Sequence, residues 1–338
     1  MSLSSSHPEV RFGIDPFAEF AQRSELFKKK VIVIAGPTGV GKTAVSLLVA
    51  KAIGGEIVSA DSMLVYRGMD IGTAKPSLTD RQEVVHHLVD SRDLDETFNV
   101  VEYYQEATLA IKEILDKGAV PIVVGGTGFY LHALLYGPPK GPPSDPAMRA
   151  LLENEIDLRG TEAMYQKLVA LDPQYARTIT AADRQKIVRA LEIITLSSKT
   201  VSSFAAPSPL RPLDYNFRCW FLHMEKERLY SRIEDRCDEM LAAGFVKEVE
   251  GLQTELRRNP TASQAIGYKQ CLLYLDSLRR QEDWQAFVTL FKQASRRYAK
   301  RQMTWFRKEK LFRWLDRDLL SIEQVAEIVL QDYELNRY

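Results

Sequence analysis

The chain is poor in cysteine, with three in 338 residues, and none of Cys219, Cys237 and Cys271 belongs to a CxxC pair. Their odd number argues against a disulfide framework and makes the cytoplasm the simplest compartment. No apolar run approaches the ~18 residues of a membrane span. The first thirty residues lack the apolar stretch of a signal peptide, and their acids Glu9, Asp15, Glu19 and Glu25 disfavour a transit peptide. They read as an N-terminal extension, with a short helix expected around 17–27. Net charge is missing too: 45 basic residues balance 45 acidic ones, so the whole chain exerts no pull on nucleic acid. There is no internal repeat.

What is present is an ordinary globular composition, 45% hydrophobic and 27% charged. The length suits one large α/β domain with an insert, or two domains. The run "VIVIA" at 31–35 suits a fully buried parallel strand, followed by a glycine loop and a helix from Thr43 to about Ala52. Further strands are expected at 56–61 ("EIVSAD") and in "AVPIVVGGTG", with a helix over 99–118 between them that Gly118 stops. This alternation predicts a parallel sheet with helices on both faces. The five prolines of "GPPKGPPSDP" at 137–146 mark a domain boundary. Helices are expected at 146–158, 162–171 and 183–197, and a Ser/Pro-rich break ends the excursion near 212. A returning strand at 217–223, helices near 226–243, 245–257, 263–280 and 284–309, a short strand "LFRWL" and a last helix complete the reading. This divides the chain into an extension (1–30), a first part of the core (31–140), a helical insertion (141–212) and a return to the core (213–338). The helices of 226–290 fit either the core or an RNA clamp.

Gly36-Pro37-Thr38-Gly39-Val40-Gly41-Lys42-Thr43 matches GxxxxGK[ST] between a buried strand and a helix, the context this phosphate-binding motif requires. Glycines let successive N–H groups wrap an anion, Lys42 adds a mobile charge, and the Thr43 hydroxyl can ligate Mg²⁺. Nucleoside triphosphatases usually hold the metal with an acid closing a later apolar strand. Here "VPIVV" ends in Gly125-Gly126-Thr127, and the acid closes the second strand instead, as Asp61. Its roles as magnesium ligand, catalytic base or helix cap stay open on spacing alone.

The blocks "EIVSADSMLVYRGMDIGTAKP" (56–76), "HHLVD" (86–90), "PIVVGGTGFYLHALLYG" (121–137), "DRQKIVRALEI" (183–193), "AIGYKQ" (265–270) and "YAKRQMTWFR" (298–307) resemble the tRNA dimethylallyltransferase family, in the family's order. The resemblance implies a P-loop-type α/β core with an inserted helical domain. It also implies transfer of a dimethylallyl group from its diphosphate to the exocyclic amine of the adenosine next to the anticodon, with Mg²⁺ and without ATP turnover. Carried over to this chain, Gly36, Thr38, Gly39, Val40, Gly41, Lys42 and Thr43 line the diphosphate, and Asp61 accepts the amine proton. Asp61, Ser62, Met63 and Leu64 meet the target nucleotide. Thr127, Arg149, Gln185, Lys186, Ile187, Val188, Arg189, Gln264, Ala265, Ile266, Gly267, Tyr268 and Lys269 fall at positions associated with tRNA, and Thr127 is counted with the catalytic group. Many members carry Gln where Leu64 stands. Lys226, Arg228 and Arg232 compete for the family's diphosphate-assisting arginine, and Arg232 is preferred. The chain ends without the Cys/His pairs of the eukaryotic zinc finger, and so looks like the bacterial type, expected to be monomeric.

Nine basic residues against one acid between Lys292 and Arg313, interleaved with Tyr298, Trp305, Phe306, Phe312 and Trp314, suggest cations for RNA phosphates and rings for unpaired bases. Aromatics at helical spacing are more often core. His86 and His87 alternate sides of an extended segment and read as structural, and His132 and His223 as packed. The rival functions are a small-molecule kinase or NTPase on the same core, a prenyltransferase of free adenine nucleotides, and a non-catalytic RNA-binding module.

Overall fold

A computed structural model describes residues 29–204 and 215–335; the helix expected at 17–27 and most of the break before 212 lie outside the described residues. Among these, 29–135 and 215–335 form one compact unit and 136–204 a second.

The large unit is built on a parallel sheet of six strands: β1 (Lys30–Ala35), β2 (Gly55–Ser59), β3 (His86–His87), β4 (Val120–Gly125), β5 (Asn216–His223) and β6 (Arg313–Asp316), in the order β3-β2-β4-β1-β5-β6. Val31, Ile32, Val33 and Ile34 of β1 are wholly buried because the strand pairs on both edges, with β4 and β5, and is covered on both faces. An apolar run without alternation is what such a position selects. β3 was not foreseen: two residues leave no periodicity to read. His86 and His87 are held locally, His86 Nδ1 at 2.7 Å from the Val84 carbonyl oxygen and His87 Nε2 at 2.6 Å from the Glu56 carboxylate.

The helices follow local chemistry. α1 (Lys42–Ile53) ends at Gly54, whose φ of +62° is the left-handed cap that glycine tolerates. The short α2 (Leu78–Glu83) has a Ser77–Asp80 capping box. Asn99 accepts from the first-turn amides of α3 (Val100–Asp116), with Glu102 closing a capping box. After β4 comes α4 (Gly128–Tyr136). The second unit holds α5 (Pro146–Arg159), α6 (Thr161–Leu171), α7 (Pro173–Ala176), α8 (Arg184–Ser197) and α9 (Val201–Phe204) around a core of its own, which includes Leu152, Ile156, Met164, Leu168 and Leu191. Back in the large unit lie α10 (Lys226–Ala242), α11 (Phe245–Arg258), α12 (Tyr268–Leu275), α13 (Gln281–Phe306) and α14 (Ile322–Leu335).

Two expectations need correction. The helix expected over 263–280 is a 3₁₀ turn (Ala262–Gln264) and the separate α12, because Ala265 is extended and Gly267 sits at φ +88°. A Cβ at Gly267 would meet the Phe291 ring at 2.8 Å, so the break is enforced by packing that periodicity cannot register. His132 is not packed: its side chain is 46% exposed and its Nδ1 lies 2.9 Å from Glu309.

Candidate active site

The turns after β1, β2 and β4 all leave the carboxyl edge of the sheet, beside the central strand, where open α/β folds bind ligands. The first turn is the glycine loop. Gly39 and Gly41 have φ of +82° and +102°, left-handed values that favour glycine and that aim consecutive backbone N–H groups inward. Lys42 Nζ donates to the carbonyls of Gly36 and Pro37, both at 2.9 Å, and so braces the turn. Burial, helped by the Arg236 guanidinium and opposed by Asp61, lowers the Lys42 ammonium to about 7.

A cavity of ≈ 560 Å³ opens on this turn, lined by Gly39, Gly41, Lys42, Thr43, Lys75, Arg232 and Arg236 among others. Arg232 Nε donates to the Gly39 carbonyl at 3.0 Å and so lies beside the loop. The rival cations point elsewhere: Arg228 pairs with Asp318 at 2.9 Å and Lys226 with Glu227 at 3.2 Å. Arg236 is the residue that sequence reasoning missed. It lies one turn beyond Arg232 on the same face of α10, donates to Thr38 Oγ1 at 3.3 Å, and is deprived of water so that burial lowers its pKa while Asp61 raises it. The i, i+4 spacing of Arg228, Arg232 and Arg236 was the available signal.

Arg236 also lines a second cavity of ≈ 260 Å³, together with Thr38, Asp61, Ser62, Met63, Tyr298 and Arg301 and with the apolar Ile233, Cys237, Met240 and Phe291. Asp61 therefore faces the same space as the phosphate turn. Its Oδ1 accepts the Met63 N–H at 2.9 Å, and the residues after it form turns, so it caps no helix. Ser62 and Met63 line the cavity beside it; the half-buried Leu64 does not. Thr127 is likewise behind the wall: its N–H donates to Ala60 O at 3.2 Å and its hydroxyl accepts the Ser62 N–H at 3.2 Å, so it holds the Asp61 loop and does not line the cavity. The carbonyl edge of the strand before Asp61 fits against Gly125 because a Cβ there would strike Ala60.

Gln264, Ala265, Ile266 and Tyr268 complete the cavity wall. Gly267 packs on Phe291, and Lys269 Nζ donates to Gln264 Oε1 at 2.7 Å on the surface. In the second unit, Gln185 and Lys186 are exposed and Arg149 half-buried, whereas Ile187 and Val188 are 0% and 1% exposed in that unit's core and cannot touch RNA with their side chains. Arg189 donates to Glu192 at 2.7 Å and to the Pro142 carbonyl at 2.7 Å. Of the aromatics in the basic run, Phe306 and Phe312 are core, Trp314 packs at a 45° tilt against Phe221 at 4.3 Å between centroids, and Tyr298 lines the cavity. Trp305 alone stays 40% exposed, beside Phe129 at 44%. The basic run is also less cationic than its composition: Lys292, Arg296 and Arg313 are spent on Asp238, Glu234 and Asp332.

Comparison with known proteins agrees with this geometry. The profile of the "IPP transferase" family matches residues 64–309. The tRNA dimethylallyltransferase of Protochlamydia amoebophila is 54% identical over 96% of this chain and 95% of its own, and that of Chlamydia pneumoniae 46% identical over 98% and 97%. The crystal structure of a Bacillus halodurans tRNA isopentenylpyrophosphate transferase superposes with a TM-score of 0.66 at 37% identity, covering 91% of this chain and 98% of that one. A eukaryotic dimethylallyltransferase caught acting on tRNA superposes at 0.74 with 29% identity, over 90% and 79% of the two chains. No helix among the described residues is long and apolar enough to cross a membrane. With a parallel sheet carrying a glycine turn and an opposed carboxylate, and with relatives matched along nearly its whole length, the chain belongs to the IPP transferase family, that of the tRNA dimethylallyltransferases.

Proposed function

We propose that the protein transfers the dimethylallyl group of dimethylallyl diphosphate to the exocyclic amine of the adenosine next to the anticodon of tRNA, releasing diphosphate. The observation that carries this reading is the shared wall at Arg236, which joins the phosphate cavity to an apolar-backed chamber containing Asp61. The diphosphate lies against the turn amides, Lys42, Arg232 and Arg236. The five-carbon tail has apolar surface to meet in Ile233, Cys237, Met240 and Phe291. As the allylic C–O bond breaks, its electron pair leaves with the diphosphate, whose charge these cations neutralise. The amine nitrogen forms the new C–N bond, and its proton passes to Asp61.

A magnesium ion suits the donor set: the exposed Thr43 hydroxyl is a hard oxygen ligand at the mouth of the phosphate cavity, and diphosphate would complete the shell. When bound, it supplies further neutralisation of the leaving charge. The tRNA anticodon arm is assigned to the cavity wall at Ser62, Met63 and Gln264–Ile266, to Lys269, to Arg149, Gln185, Lys186 and Arg189 of the helical unit, and to the unpaired cations of the basic run. On this reading the protein acts as a monomer in the cytoplasm.

Incubation with dimethylallyl diphosphate, Mg²⁺ and unmodified tRNA, then digestion and mass analysis of the nucleosides, tests the reading. A prenylated adenosine is expected. Unmodified nucleosides together with ATP turnover in the absence of isoprenoid would return the protein to the kinase class.

A further inference from the structure

Between the phosphate turn and the acceptor side lies a buried polar side chain to which the reaction above gives no part, Gln302 of α13, 5% exposed. Its Oε1 accepts the N–H of Thr38 at 3.0 Å, and its Nε2 donates to the carbonyl of Gly126 at 3.0 Å. Thr38 belongs to the turn after β1. Gly126 precedes Thr127, whose hydroxyl accepts the amide of Ser62, the neighbour of Asp61, at 3.2 Å. One helical turn before Gln302, Tyr298 lines the chamber with Asp61. A single amide thus ties the backbone that would hold the leaving group to the backbone that carries the proton acceptor.

The backbone is thinned to admit it. A Cβ at Gly126 would strike Gln302 Nε2 and lie 3.2 Å from the Gly36 carbonyl oxygen. Of side chains this long, a primary amide alone accepts and donates at once while staying neutral beside an anion. Glutamate keeps the acceptor and loses the donor; methionine keeps the volume and loses both. Displacement at carbon needs the reacting atoms about 3–3.5 Å apart and in line, and a misplacement of about 1 Å costs on the order of 100-fold.

We propose that Gln302 is a positioning residue that locks the diphosphate-binding turn to the Asp61 loop and so sets the gap that the dimethylallyl group crosses. The proposal rests on the transferase reading, and the wild-type protein separates the two failures: an inert wild type sinks that reading, an active wild type with an equally active variant sinks only this one. In the full chain, Gln302→Met is expected to lower the single-turnover rate, with both substrates saturating, by about 100-fold. The KM for dimethylallyl diphosphate and the Kd for tRNA should move by less than about threefold, while the Tm falls without loss of the fold, since the side chain's volume is kept but the Thr38 N–H and the Gly126 carbonyl lose their partner. Should Gln302→Met not fold, Gln302→Glu, which keeps the size and the bond to Thr38, is expected to show the same loss at saturation. A folded variant that transfers at the wild-type rate, a loss that tracks KM alone, or failure of both variants to fold would each overturn the proposal, the last by making the residue purely structural.

Discussion

Lys42 lines the phosphate cavity and Asp61 the chamber that Arg236 joins to it. The Lys42 ammonium, lowered to about 7 by burial and by Arg236, gains a partner when diphosphate arrives, so its pKa rises on binding. The sign follows. Below about 7 the lysine is charged in both states and binding takes up no proton; above 7 the free protein must acquire one, so affinity falls as pH rises. Calorimetry of diphosphate binding at pH 8, in buffers of different ionisation enthalpy, should record proton uptake that is lost in Lys42→Met. Asp61 has the complementary test. Asp61→Asn keeps an acceptor for the Met63 amide but cannot take the amine proton, and transfer should fall ~10²–10⁴-fold with diphosphate affinity little changed. A loss confined to diphosphate affinity would recast Asp61 as a metal ligand. Of these residues, Lys42 and Asp61 were legible in the sequence because a turn motif and a strand end have fixed local spacing. Arg236 was not, because its contact with Thr38 spans 198 residues.

At the scale of elements, the strongest anchor is a carboxylate on α11. Glu248 accepts N–H groups from Asp70, Ile71 and Gly72 at 3.0, 2.6 and 3.1 Å and the Tyr268 hydroxyl at 2.5 Å, which fastens the loop after Asp61's turn to α11 and α12. Glu248→Ala leaves three amides without this acceptor, and should cost about 3 kcal/mol in urea unfolding, with a shift in midpoint and none in slope. The sequence shows Glu248 only as one more acid on a helix. α13 divides its aromatics between core and surface, and this division is what periodicity left undecided. Trp305 packs one side of its indole on Gly128, the first residue of α4, where a Cβ would collide, and yet stays 40% exposed. Trp305→Ala should weaken tRNA binding by about 1–3 kcal/mol with the salt dependence unchanged, as expected for loss of stacking. No effect on tRNA affinity would leave the ring a packing residue.

For the whole molecule, a net charge of zero conceals a local surplus. Arg297, Lys300, Arg301, Arg307, Lys308 and Lys310 are exposed and have no ion pair among the described residues, whereas the other three cations of the run are neutralised. Six phosphate contacts on a single-stranded loop predict that log Kd for tRNA rises with log salt with a slope of about 4. A slope near zero would remove the basic run from the RNA interface. The helical excursion was legible as a separate unit because proline-rich breaks flank it, and its core explains why Ile187 and Val188 must be apolar whatever their neighbours bind.

Local chemistry in the sequence sufficed for the glycine turn, the buried central strand, the Gly118 stop after α3 and the acid after β2, since each depends on residues within a few positions of one another. The division of labour among the cations, the burial of Phe306 and Phe312, the break before α12 and the bridge through Gln302 were decided by tertiary structure. Each depends on which side chains meet across tens to hundreds of residues, or on whether an acid elsewhere in the chain neutralises a given cation. A linear pattern holds the inventory of charges and rings, and only the folded chain determines which of them are still unpaired when the substrate arrives.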